Sequence, residues 1–236
     1  MNYAHYSDLA ELFDYPDADY IDRGRKLLGF LRESYPEAAT ELQLFLDVIP
    51  ESTLDLQELH TRTFEIQSLT TLGIGYVMFG DDYKRGDLLA NLNREHLLVH
   101  NDCRGELADH LPNVLRLIPL LKDQDDREEL VEELLVPALS LIIHEFDPER
   151  VVKKDENYKK HFKTLIEAPS GNNKLIFGRA FNAVLQVMMK DFQKVPEVLA
   201  RLSDAATRPA TSDFLGMLEK EMEIELLNPQ NSGGDL

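Results

Sequence analysis

With 236 residues, 43% of them hydrophobic and 29% charged, the chain has the length and composition of a globular domain rather than of a disordered segment. Its 25 basic and 43 acidic residues leave a formal charge of −18, which repels phosphate backbones and argues against nucleic acid as a partner. The same charge attracts basic ligands, Arg- or Lys-rich peptides among them, although many cytoplasmic proteins are acidic for solubility alone.

Helical periodicity runs through nearly the whole chain. Tyr6, Leu9, Leu12 and Phe13 recur at three- and four-residue steps until Tyr15-Pro16-Asp17 stops the first helix. A second helix is expected over 18–34, and Pro36 opens a third. Ser52 with Asp55 resembles a capping box, starting a helix with Leu56, Leu59, Thr63 and Phe64 on one side. The pattern changes over 68–80, where glycine, β-branched and aromatic residues disfavour a helix and an isolated strand has no obvious partner. This stretch reads as an extended mid-chain loop laid across the helices, either a place for function or a crossover whose aromatics plug the core.

Helices resume over 84–101 and 109–121. A long one over 125–146 begins with acids at its positive end and is kinked or divided at Pro137. Helices over 148–166 and 172–192 complete the core, and 196–202 forms a short helix or turn. An acidic amphipathic segment over 214–227 precedes a terminal run that reads as disorder. The expected fold is all-α, a single-domain helical bundle over 1–205 with an acidic, partly disordered appendage over 206–236. The lone cysteine, Cys103, excludes an internal disulfide and points to a reducing compartment. The first residues lack the pattern of a secretory signal, and the longest apolar run, 134–143, is about half of what a bilayer crossing needs. A cytoplasmic location without stable membrane insertion is expected.

Two constellations carry possible chemistry. His96, His100 and Cys103 stand at i, i+4 and i+7, and His110 completes a possible zinc set. Leu97 stands where H-E-x-x-H has its glutamate, and the helix frays through Asn101 and Asp102. A partly buried, hydrogen-bonded helix face is the better account, and neither metal nor cofactor is expected. The second constellation is Glu106-Leu107-Ala108-Asp109-His110-Leu111-Pro112. Its carboxylate–imidazole pair suits acid–base work, yet no nucleophile, phosphate loop or zincin motif accompanies it. Asp109 as a helix cap, with Pro112 where a missing N–H costs nothing, accounts for the residues at least as well.

The ordered set Leu12-Phe13-Asp14-Tyr15-Pro16-Asp17, Arg85-Gly86 and Glu106 to Pro112 resembles the chaperones that mature molybdenum oxidoreductases. These are the nitrate reductase delta-subunit (NarJ-type) proteins and their TorD and DmsD relatives. The resemblance covers roughly residues 5–145, and Ala108 departs from it, since the family often has proline there. It implies an all-helical, non-catalytic protein that binds the N-terminal segment of a molybdopterin-containing catalytic subunit, often a twin-arginine signal peptide. The chaperone holds that subunit for the cofactor insertion machinery, before assembly or export. Asp109 and His110 match the family's peptide-binding pair. Glu106 is then a charge-assisted acceptor for an arginine, and Tyr76 and Phe79 an apolar wall. Tyr15 and Arg85 are expected to be structural, and His110 to make binding sensitive to mild acidification. The competing reading is an acidic helical adaptor for an unrelated partner.

Overall fold

The computed structural model describes residues 2–66, 68–161 and 175–204, and the expected appendage lies outside them. The fold is all-α. Its helices are α1 (His5–Ala10), α2 (Tyr20–Ser34), α3 (Pro36–Leu46), α4 (Thr53–Phe64), α5 (Ile74–Phe79) and α6 (Tyr83–Leu98). They are followed by α7 (Leu111–Leu117), α8 (Gln124–Glu129), α9 (Val136–Glu145), α10 (Pro148–His161), α11 (Phe177–Asp191) and α12 (Val195–Asp204). No helix among the described residues is long and apolar enough to cross a membrane.

Helix α11 is the axis of the core. Phe177, Phe181, Val184 and Met188 repeat at helical spacing and are wholly buried. They pack on α3 and α9, with Phe13 stacked on Phe181 at 4.5 Å and Phe64 edge-on to Phe177 at 4.9 Å. Local chemistry sets most boundaries. Ser52 accepts from the Asp55 amide at the start of α4, Asp82 from Lys84 at α6, and Asp123 from Asp125 at α8.

The long helix expected over 125–146 is instead three pieces, because Leu130–Leu135 is a π-helix between α8 and α9. Pro137 is the cause: it lacks an N–H and its ring crowds the carbonyl of Glu133, so the preceding turn widens and Val136 bonds back to Val131. The first helix is also shorter than expected. The turn after it is stitched from outside, Tyr20 donating to the Leu12 carbonyl (2.6 Å), His60 to Phe13 (3.2 Å) and Gln57 to Pro16 (2.7 Å). Tyr15, half-exposed, meets His60 edge-on.

The two ends of the bundle meet at a buried hydrogen-bonded cluster of His5, Tyr35 and Asp191. His5 Nε2 lies 2.8 Å from Asp191 Oδ2, with side-chain exposures of 6% and 4%, and Tyr35 donates to the other oxygen at 2.8 Å. The three residues come from α1, the α2–α3 junction and the end of α11. Asp191→Ala leaves the imidazole and phenol without their acceptor. It should lower unfolding stability by about 2–4 kcal/mol in urea titrations, from the two buried groups left without a partner. A loss below about 1 kcal/mol is the result expected of an exposed pair.

Candidate functional site

The 68–80 stretch does have a backbone partner: the Asp109–His110 motif itself. Ile74 N–H donates to the Asp109 carbonyl (3.0 Å) and Leu111 N–H to the Leu72 carbonyl (2.8 Å), an isolated antiparallel bridge of Gly73 with His110. Beyond Gly73 the expected extended loop becomes α5. Burial of Ile74 and Val77 three residues apart, against α9, outweighs the poor helix propensity of this segment. Lys154 of α10 covers the other side, donating to the Leu69 carbonyl at 2.8 Å.

Asp109 is wholly buried and is not a helix cap. The N-cap position of α7 belongs to His110, whose side chain makes no capping bond, and Pro112 sits in the first turn. The Asp109 carboxylate turns instead toward α5 and α6. Its Oδ2 lies 3.3 Å from Arg85 Nε, and its Oδ1 has no hydrogen-bond partner among the described residues. The Arg85 guanidinium carbon stands 5.3 Å from the centre of the Tyr76 ring. Gly75 makes this possible: a Cβ there would lie 2.6 Å from Asp109 Oδ2 and 3.0 Å from Leu88.

His110 points elsewhere. With Glu106, Asp14, Tyr15, Cys103 and Asn113 it lines a polar pocket of about 400 Å³, floored by Arg116. Arg116 ion-pairs with Asp14, and Asn113 holds the rim by donating to the carbonyls of Cys103 (3.2 Å) and Leu107 (3.1 Å). Burial holds the His110 imidazole below its usual value, against the opposing pull of Glu106, Asp14 and Asp109. It is neutral at pH 7 and available as a donor or an acceptor. Glu106 is exposed beside it.

The histidine–cysteine set does not share a helix face. Helix α6 ends at Leu98, and His100 is in left-handed backbone with φ 56°. His96 donates to the Ala108 carbonyl (3.0 Å) and accepts from Asn101 (2.8 Å), so it is satisfied as a buried structural group. Among the described residues, no group of three or more His, Cys, Asp or Glu is placed to hold a metal ion.

Phe79 belongs to a third place, a groove of about 650 Å³ between α6 and the α8–π wall. Its apolar lining comes from Phe79, Leu88, Leu92, Leu117, Leu121 and Leu134. Its rim carries Asp87, Glu95, Asp126, Glu129 and Glu133 against Lys84 and Arg94. Sequence reasoning found only Phe79 of this groove. A signal existed in Leu88 and Leu92, four residues apart with Asp87 before them and Glu95 after, but nothing in the sequence said that α6 would stand apart from α8. The five candidate residues therefore fall into three environments: Asp109 and Tyr76 on either side of Arg85, Glu106 and His110 in the polar pocket, and Phe79 in the groove. Comparison with known proteins adds no assignment, since no family model matches the chain and neither does any curated protein.

Gly75→Ala should displace Asp109 from Arg85 and cost about 1–3 kcal/mol by overpacking. Gly86→Ala, where a Cβ meets nothing, should stabilise by about 0.4–1 kcal/mol, both read by urea unfolding. Acid sensitivity follows from the histidines. Burial keeps His60, His96 and His110 below their ordinary values, so the unfolded chain takes up protons first as pH falls. Stability is thus full above about pH 6.5 and falls from there toward the lower folded-state values. The unfolding midpoint should drop between pH 7.5 and 5.5, and His60→Gln should flatten that slope. An unchanged slope in the variant would show that His60 does not contribute.

Proposed function

We propose that this chain is a cytoplasmic, non-catalytic chaperone that binds the N-terminal or signal segment of a molybdenum oxidoreductase catalytic subunit. It holds that subunit while the molybdopterin cofactor is inserted and before assembly or export. The resemblance at Leu12–Asp17, Arg85-Gly86 and Glu106–Pro112 suggests the class of client, a molybdenum-enzyme catalytic subunit, and not which one. The observation that carries a peptide-binding reading is the groove beside α6: an apolar floor edged by five carboxylates and two cations. An amphipathic segment with one apolar face and basic flanks fits such a groove, its leucine-like residues below and its arginines at the rim.

The groove adjoins the motif, because Leu88 lines it and also lies beside Gly75 and Asp109. In this reading Phe79 and Leu92 contact the segment's apolar face. Glu106 and His110, in the separate polar pocket, receive a polar end of the client, and Asp109, wholly buried, acts from beneath.

The test is calorimetric titration with N-terminal peptides of molybdenum catalytic subunits encoded by the same organism. Dissociation constants on the order of micromolar, or about −8 kcal/mol, are expected for the client peptide. Binding should weaken as salt rises. Glu129→Lys/Glu133→Lys should weaken it at least about tenfold through charge repulsion. Binding that resists this reversal but is lost in Glu106→Gln/His110→Ala moves the peptide into the polar pocket. No binding by any such peptide overturns the proposal in favour of an adaptor with another partner.

A further inference from the structure

The Asp109 carboxylate is a half-filled site. A carboxylate offers about four acceptor positions, yet among the described residues this one has one long side-chain contact, to Arg85 Nε at 3.3 Å, and its buried Oδ1 has no partner. An arginine engaging both oxygens side-on would make two parallel, charge-assisted bonds, which is the stronger arrangement. We propose that Asp109 forms a buried guanidinium-binding site that Arg85 fills in cis, and from which an arginine side chain of a bound partner displaces it. Only the identity of that partner rests on the peptide-chaperone reading.

The route in is visible. Asp109 has no exposed side-chain surface, whereas Arg85 is 22% exposed, so Arg85 spans the passage between solvent and the carboxylate. The Arg85 stem occupies the space that an incoming arginine stem would take, beside Gly75, where an added Cβ would lie 3.4 Å from Arg85 Cγ. Tyr76 offers its ring face to whichever guanidinium is present. Leu88, one turn further along α6, faces the groove, so a segment lying there has the passage at its side.

Exchange of one arginine for another also avoids the main cost of a buried ion pair, since no new charge is desolvated without an old one returning to water. Lysine is a poor substitute because its ammonium is more strongly hydrated and lacks the planar fork. Arg85 is therefore an autoinhibitory contact: it lowers the apparent affinity for a partner's arginine by the fraction of time it occupies the site.

The experiment uses the full chain with L-argininamide and L-lysinamide as probes, read by thermal unfolding and calorimetry. Arg85→Ala should unfold at a lower temperature than the parent and be restabilised by argininamide. Its affinity for argininamide should be at least about tenfold above that of the parent, and lysinamide should have little effect. Arg85→Ala/Asp109→Asn should not respond. No response in Arg85→Ala, or an equal response in the double variant, overturns the site.

Should Arg85→Ala fail to fold, the parent protein with nitrogen-15-labelled arginine decides. Argininamide should shift the Arg85 Nε–Hε resonance toward that of a solvated arginine, and a resonance unmoved at saturation overturns the exchange. The two readings separate cleanly. Argininamide binding without any molybdoenzyme peptide binding upholds the site and removes the proposed client. Peptide binding with no argininamide response upholds the client and removes the site.

Discussion

Two backbone hydrogen bonds, Ile74 to Asp109 and Leu111 to Leu72, fasten the middle of the chain to the start of α7, and the geometry on either side depends on them. They set α5 against Asp109 and so determine where Arg85 can reach. They also fix His110 at the N-terminal end of α7, which packs on α1 and brings Arg116 to Asp14. A segment of low helix propensity is usually free to wander. This one is pinned from two directions, by the motif on one side and by Lys154 on the other.

The bridge also explains how neighbouring residues in one motif come to do different things. Asp109 lies in a turn closed by the His110 N–H to the Leu107 carbonyl (3.0 Å), and His110 is the bridge residue that follows it, so the carboxylate turns into the protein and the imidazole toward the polar pocket. A buried carboxylate needs a cation, which Arg85 provides. A partly buried imidazole with acids nearby can remain neutral and still be reached from solvent. At the groove rim five carboxylates outnumber two cations.

Much of the fold was legible in the sequence because its signals are local. Pro36, Ser52 and the three- and four-residue apolar steps of α2, α4 and α11 place those helices within a few residues. The π turn was not legible, since Pro137 announces a disturbance without saying whether the helix kinks, breaks or widens. Helix α5 was missed because its stability comes from Ile74 and Val77 docking on α9, a tertiary effect that propensity does not contain. At the site, the residue types were recognised and their roles were not. Asp109 looked like a cap because it precedes a proline-started helix. Its partner, Arg85, is 24 residues away and reaches it only because Gly75 lets α5 approach. Phe79 is the last residue of α5 and lines the groove, whereas Tyr76 sits mid-helix beside Arg85, a separation that only the position of α5 determines.

The widened turn over Leu130–Leu135 accommodates one residue more than an α-helix of the same rise. Each residue of an ordinary α-helix advances about 100° around the axis, so shortening this turn by a single amino acid would swing everything before it by that angle. Helix α9 is held by α11 and α12 and would stay in place, while Asp126 and Glu129 would rotate away from α6. The charge pattern along the groove wall is thereby tunable by insertion and deletion as well as by substitution. The groove wall can thus be re-aimed by the length of one turn while the core side chains of α9 and α11 stay in place.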